Sequence, residues 1–233
     1  MKTTARALST PVRFRATERA GEVSGLLLLP RDARCLLVLA HGAGAGMHHP
    51  FLDAMASHLT EHGVATFRYQ FPYSEHGSGR PDPRPVLLAT VRSAVTVALE
   101  RAGDLPLVAG GKSMGGRMTS LAAAESALPG VRALVFVGFP LHPAGTPGVE
   151  RAEHLARVTV PMLFLQGTRD ALAELDLLRP VCDRLGALAT LHVVEGADHS
   201  FHVLKRSGST DHDVLRELAA TTASWVSKRL AVG

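Results

Sequence analysis

Cysteine is scarce in this chain: 233 residues hold two thiols, Cys35 and Cys182, and they form no regularly spaced pairs. A disulfide framework is therefore excluded, and both read as buried, inert thiols, one in a strand and one in a helix. Long hydrophobic runs are missing too. The longest, such as residues 35–40, have strand length and fall far short of the roughly 20 residues that cross a bilayer. Residues 1–7 carry Lys2 and Arg6, but the apolar core of a signal peptide does not follow them, so a soluble, cytoplasmic protein is expected. Nor is there a block of one charge. The formal net charge is +4, yet Lys and Arg are scattered among Asp and Glu, and the pair Lys205-Arg206 reads as a solvated loop. Neither nucleic acid nor a membrane is expected as a partner. Internal repeats and low-complexity tracts are also lacking.

What is present is an even alternation of strand and helix signals, with 46% hydrophobic residues, ample for one large core. The pattern predicts a single α/β domain over 1–233, a mostly parallel sheet covered on both faces. Strands are expected at 12–17, 22–29, 35–40, 64–70, 105–109, 133–139, 161–166 and 189–194. Helices are expected at 51–62, 86–101, from 114 onward, at 175–185 and at 211–230, with one short helical pattern at 150–157. The 86–101 helix presents Leu88, Val91, Val95 and Leu99 as its buried stripe. Thr210 and Asp213 resemble a capping box at the start of the last helix. Residues 71–85 are too rich in Pro and Gly for a regular element and read as a long surface loop. The short connections leave no room for a sizeable cap domain.

The chemistry is carried by Gly111-Lys112-Ser113-Met114-Gly115, a G-x-S-x-G pattern between an apolar run and a small-residue helix. Glycines at 111 and 115 let a tight strand-to-helix turn lift the serine clear of the sheet. A serine hydroxyl is a weak nucleophile at neutral pH, so it needs a base within reach and a third group that sets the base's tautomer. Two later apolar runs end in suitable residues: 163–170 in Asp170 and 193–199 in His199. The order Ser, Asp, His is that of the α/β-hydrolase fold. Asp198, adjacent to His199, competes with Asp170 for the acid role, and the chain order favours Asp170.

An acyl-transfer site also needs N–H donors aimed at the developing oxyanion. Met114, just after the serine, is expected to supply one, and the loop His41-Gly-Ala-Gly-Ala-Gly46 the other, through Ala43 or alternatively Gly44. Gly42, Gly44 and Tyr73 are expected to border the substrate; Tyr73 and Phe71 read either as lining the acyl pocket from the 71–85 loop or as packing beneath that loop. Lys112 reads either as a steering charge for an anionic substrate or as a solvated lysine. Twelve histidines raise the question of a metal, but His58 with His62, and His48 with His49, come without a third ligand, so no metal and no cofactor is expected.

In His41-Gly-Ala-Gly-Ala-Gly-Met47, Phe71-Pro-Tyr73, Gly110-Gly-Lys-Ser-Met-Gly-Gly116, Gly167-Thr-Arg-Asp170 and Ala197-Asp-His-Ser-Phe201 the chain resembles the small, cap-less α/β-hydrolases related to dienelactone hydrolase. That group includes the hydrolase-like subunit of the NSL histone-acetyltransferase complex and its testis-expressed relative. The resemblance runs from about residue 20 to the C-terminus and implies an eight-stranded sheet with a Ser113, Asp170, His199 triad. Dienelactone hydrolases themselves carry cysteine at the elbow, where this chain has Ser113. The function expected is a serine hydrolase acting on a small-acyl carboxylic ester, or a thioester or lactone, with a shallow pocket shaped by the 71–85 loop and the 140–150 segment. The alternative is a non-catalytic interaction module that keeps the fold.

Overall fold

The computed structural model describes residues 8–231; residues 1–7, read above for charge, lie outside them. Eight strands form one sheet: β1 (Leu8–Thr17), β2 (Gly21–Leu29), β3 (Cys35–Ala40), β4 (Val64–Tyr69), β5 (Leu107–Lys112), β6 (Val131–Val137), β7 (Met162–Gly167) and β8 (Ala189–Val194). Their order across the sheet is β1-β2-β4-β3-β5-β6-β7-β8. β2 runs antiparallel to both of its neighbours, and every pairing from β4 to β8 is parallel.

The helices are α1 (Pro50–Glu61), α2 (Pro72–Glu75), α3 (Arg84–Ala102), α4 (Met114–Glu125), α5 (Leu175–Leu185) and α6 (Asp211–Leu230), with a 3-10 segment at Glu150–Arg157. They cover both faces because side chains alternate along each strand. Leu36, Val38 and Ala40 of β3 join the cluster under α3, α4 and α5, whereas Cys35, Leu37 and Leu39 join the one under α1 and α6. All six β3 residues are buried, which explains its unbroken apolar run. Each such Leu or Val contributes about 2 kcal/mol relative to exposure.

Several expected boundaries move. β1 begins four residues earlier, through Pro11, because it is an edge strand whose missing N–H is not needed on the outer side. β6 ends at Val137, one residue before the Gly138 turn. The segment 71–85 is not simply a surface loop: α2 occupies its start, Phe71 and Tyr73 are buried, and α3 begins at Arg84 with Pro at its first turn. The α3 stripe also differs. Leu88, Val91 and Val95 are buried together with Leu87, Ala94 and Ala98, while Leu99 is 40% exposed. The alanines let α3 sit close to the sheet, and that rotates Leu99 out of the core.

The capping box forms as expected: the Asp213 N–H donates to Thr210 Oγ1 at 3.2 Å, and the Thr210 N–H donates to Asp213 Oδ2 at 3.1 Å. No helix among the described residues is long and apolar enough to cross a membrane. No connection between elements holds a large cap; the chain from β6 to β7 contains only the 3-10 segment.

Candidate active site

The strand order itself makes a crevice. From β3 the chain passes through α1 to β4 on one side, and β5 then adds on the other, so the connections leaving the paired carboxyl ends of β3 and β5 part to opposite faces, α1 on one and α4 on the other. Open α/β sheets bind ligands at such a switch point. The loop 41–46 leaves β3 here, and Ser113 leaves β5.

Ser113 sits at φ 52°, a left-handed conformation that a residue with a β-carbon occupies only under constraint. The constraint is visible. Its N–H donates to the Val137 carbonyl at 3.1 Å, and α4 starts at the next residue. The turn is so tight that a β-carbon on Gly111 would stand 2.5 Å from the Ala40 carbonyl oxygen, and one on Gly115 2.6 Å from those of Ala40 and His41. Glycine at both positions is therefore a packing requirement.

Asp170, three residues beyond β7, is 2% exposed. Its Oδ2 accepts from His199 Nδ1 at 2.7 Å and from Gln166 Nε2 at 2.5 Å, and its Oδ1 accepts from the Leu172 N–H at 2.8 Å. A carboxylate can only accept, so Nδ1 carries the imidazole proton and Nε2 is left as an acceptor. Ser113 Oγ stands 2.8 Å from that Nε2. Asp198 has a different place: its Oδ1 accepts from the N–H groups of Ser200 and His202, at 2.8 and 3.0 Å, and so organises the turn that carries His199. Gln166 went unnoticed in the sequence. An amide inside the apolar run Leu163-Phe164-Leu165 was the available signal, since a buried amide in a parallel strand must find partners.

The glycine-rich loop is held from several sides. His41 is fully buried; its Nδ1 donates to the Gly42 carbonyl at 2.8 Å, and its Nε2 accepts from the Phe71 N–H at 3.1 Å. Burial pushes its pKa down to about 4, against the Gly42 carbonyl, so the ring is neutral at ordinary pH. Ser74 Oγ donates to the Ala45 carbonyl at 2.9 Å, the Met47 N–H donates to Gln70 Oε1 at 3.0 Å, and the buried Arg68 donates to the Met47 carbonyl at 2.9 Å while pairing with Asp53. Among the described residues the N–H groups of Ala43 and Met114 donate to nothing. Met114 follows the serine directly, and Ala43 lines the same pocket as Ser113.

A pocket of about 360 Å³ borders this cluster, lined by Gly42, Ala43, Ala45, His49, Phe51, Leu52, Lys112, Ser113, Leu172, His199 and Ser200. Its walls are the 42–52 region, Leu172 and the His199 turn, and the expected contributions from 71–85 and 140–150 do not appear. Gly42 lines the pocket, and Gly44 and Tyr73 lie outside its lining. Tyr73 is 3% exposed and its hydroxyl donates to the Gly42 carbonyl at 3.4 Å, so it supports the loop from beneath. Lys112 is not a solvated surface lysine either. It lines the pocket, and its ammonium donates to the His199 carbonyl at 2.5 Å. The sequence could not show this, because the partner lies 87 positions away.

Similarity to known proteins agrees with this architecture. A dienelactone hydrolase from Anabaena variabilis has 21% identity and a TM-score of 0.76, over 95% of this chain and 97% of its own. A lidless α/β serine hydrolase from Xanthomonas campestris has 20% identity and a TM-score of 0.70, over 93% and 94%. A putative phosphoribosyl transferase of Mycobacterium tuberculosis is 31% identical over 207 residues, 87% of this chain. The match spans only 43% of that relative's length. The model of one family, described as alpha/beta hydrolase domain, matches residues 33–227. The match spans the sheet from β3 to β8, with Ser113 at its strand-to-helix turn, and the chain belongs to the alpha/beta hydrolase domain family.

Proposed function

We propose that this protein is a serine hydrolase that cleaves carboxylic esters of small acyl groups through an acyl-enzyme, with thioesters and lactones as chemically related substrates. The observation that carries the reading is a pair of hydrogen bonds in series, Ser113 to His199 and His199 to Asp170, at 2.8 and 2.7 Å, beside a pocket. In this reading His199 Nε2 takes the Ser113 proton as Oγ attacks the ester carbonyl. Asp170 holds the imidazole in the tautomer that leaves Nε2 free and stabilises the imidazolium that forms. The tetrahedral oxyanion is met by the N–H groups of Ala43 and Met114, the latter at the amino end of α4, where the helix dipole favours negative charge.

His199 then returns the proton to the leaving alkoxide, and water repeats the attack on the acyl-serine. The lidless top of the sheet and the apolar walls of Phe51, Leu52 and Leu172 suit a short acyl chain such as acetate or butyrate. The test compares p-nitrophenyl acetate turnover by wild type and Ser113→Ala. Loss of at least about 1000-fold in kcat is expected, the scale on which removing a nucleophile acts. Equal rates would sink the esterase reading, and failure of a fluorophosphonate probe to label Ser113 in folded protein would favour a non-catalytic module.

A further inference from the structure

We propose that Lys112 is a positioning residue that ties the turn carrying His199 to the nucleophile elbow, an inference that rests on the hydrolase reading above. Contacts from three elements converge on its ammonium. Nζ donates to the His199 carbonyl oxygen at 2.5 Å, and it stands 5.8 Å from the Phe51 ring centroid on α1 and 5.4 Å from that of Phe201 in the His199 turn. The fourth side is Gly138, after β6, where a β-carbon would come within 3.1 Å of Nζ. One residue thus joins the strand that carries the nucleophile to the backbone of the base.

The His199 turn needs such outside support. Phe201 is buried with φ at 64°, a conformation that phenylalanine disfavours, so the turn is not the chain's own preference. Asp198 braces it from within, through Ser200 and His202, but neither bond reaches residue 199 itself. The ammonium does. A charge-assisted bond is roughly twice as strong as a neutral one, and the two aromatic faces add to its hold on the cation. Loosening this contact shifts the imidazole relative to Ser113 Oγ, and a misplacement of about 1 Å can cost roughly 100-fold in rate.

The hold is pH-dependent. Burial pushes the Lys112 pKa down to about 8, partly opposed by the carboxylates of Asp170 and Asp198, the charged groups that face it from the β7 end and the His199 turn. From α1 comes the Phe51 ring and from the β6 end Gly138, and the His199 imidazole, itself titratable, lies beside that same glycine. Above that pH the amine is neutral, and the bond to the His199 carbonyl loses its charge.

The experiment pairs kinetics with imidazole 15N–1H spectra, which need no turnover. For p-nitrophenyl acetate, Lys112→Met is expected to lower kcat at least tenfold at pH 7 while KM changes less than twofold, and to remove an alkaline limb that wild type shows near pH 8. The His199 signals are expected to broaden or shift in the variant at pH 7, and in wild type as pH passes about 8. A folded Lys112→Met with kcat within twofold and the wild-type pH profile overturns the proposal. So does a His199 spectrum that ignores the substitution or, should the variant not fold, ignores the wild-type titration through pH 8. A rise in KM alone, with kcat and spectra unchanged, assigns Lys112 to substrate binding and overturns it as well. Wild type that neither hydrolyses esters nor reacts with fluorophosphonate refutes the hydrolase reading separately, and the spectra still decide the contact.

Discussion

Ser113 and its glycine neighbours show how much a single position can dictate. The elbow turns inside a space where the Ala40 and His41 carbonyl oxygens would both lie 2.6 Å from a β-carbon at 115. Gly115→Ala is therefore expected to lower stability by about 3 kcal/mol, at the upper end of overpacking costs, because backbone rather than a flexible side chain must yield. Guanidinium unfolding compared with wild type measures it; a loss below about 0.5 kcal/mol would contradict the packing argument. Ser113, Asp170 and His199 were legible in the sequence because each ends an apolar run and their order is diagnostic. Lys112 and Gln166 were not, since what matters about them is a partner: the His199 carbonyl for one, the Asp170 carboxylate and the Phe139 N–H for the other. Gln166→Leu leaves that carboxylate one donor short and the Phe139 N–H unpaired. A fall in kcat of roughly tenfold follows from an unsatisfied buried group worth about 1–3 kcal/mol, with KM little changed. Steady-state kinetics on p-nitrophenyl acetate decides it.

Elements were legible wherever their local signals agreed. α6 carries a cap, a buried stripe and a polar face, and both its start at Asp211 and its capping box match expectation. Thr210→Ala removes the side-chain acceptor for the Asp213 N–H and is expected to cost about 1 kcal/mol of stability without altering ester turnover, since the lost bond lies within the cap and touches none of Ser113, Asp170 and His199. Thermal unfolding monitored beside an activity assay separates the two effects. The 71–85 segment departs from the expected surface loop because Pro and Gly signal a break without saying where the chain goes next. Here Phe71 packs edge-on against the His41 ring at 5.0 Å, and Tyr73 supports Gly42, so the expected surface loop begins as the floor under the 41–46 loop. The Leu99 misplacement has a related cause. Periodicity counts leucines, whereas α3 docks through alanines small enough to let it approach β1 and β3.

Across the whole molecule, two buried histidines set the acid limit. His41 and His154 are both lowered from about 6.5 to about 4, mainly by burial; His154 bonds Ser120 Oγ at 2.7 Å, and neighbouring arginines depress it further. Between those values the unfolded chain binds protons that the fold refuses, so the stabilisation is present above pH 6.5 and is lost as pH falls toward 4. Each group accounts for roughly 3 kcal/mol at most, which is large against a total of about 5–15 kcal/mol. Denaturant midpoints at pH 7 and 4.5 are expected to differ markedly, and His154→Gln is expected to flatten that dependence. An unchanged midpoint would show that neither ring resists protonation. The sequence by itself determined the fold class, the alternation of strands and helices, and the residues that end the apolar runs, because those depend on local periodicity and on spacing along one chain. Only the tertiary structure decided what walls the pocket, that Asp198 turns to the backbone of its own turn, and that Lys112 turns inward to a carbonyl. Those outcomes depend on strand order, which brings segments dozens of residues apart to one edge, and no local pattern encodes a distance across a sheet.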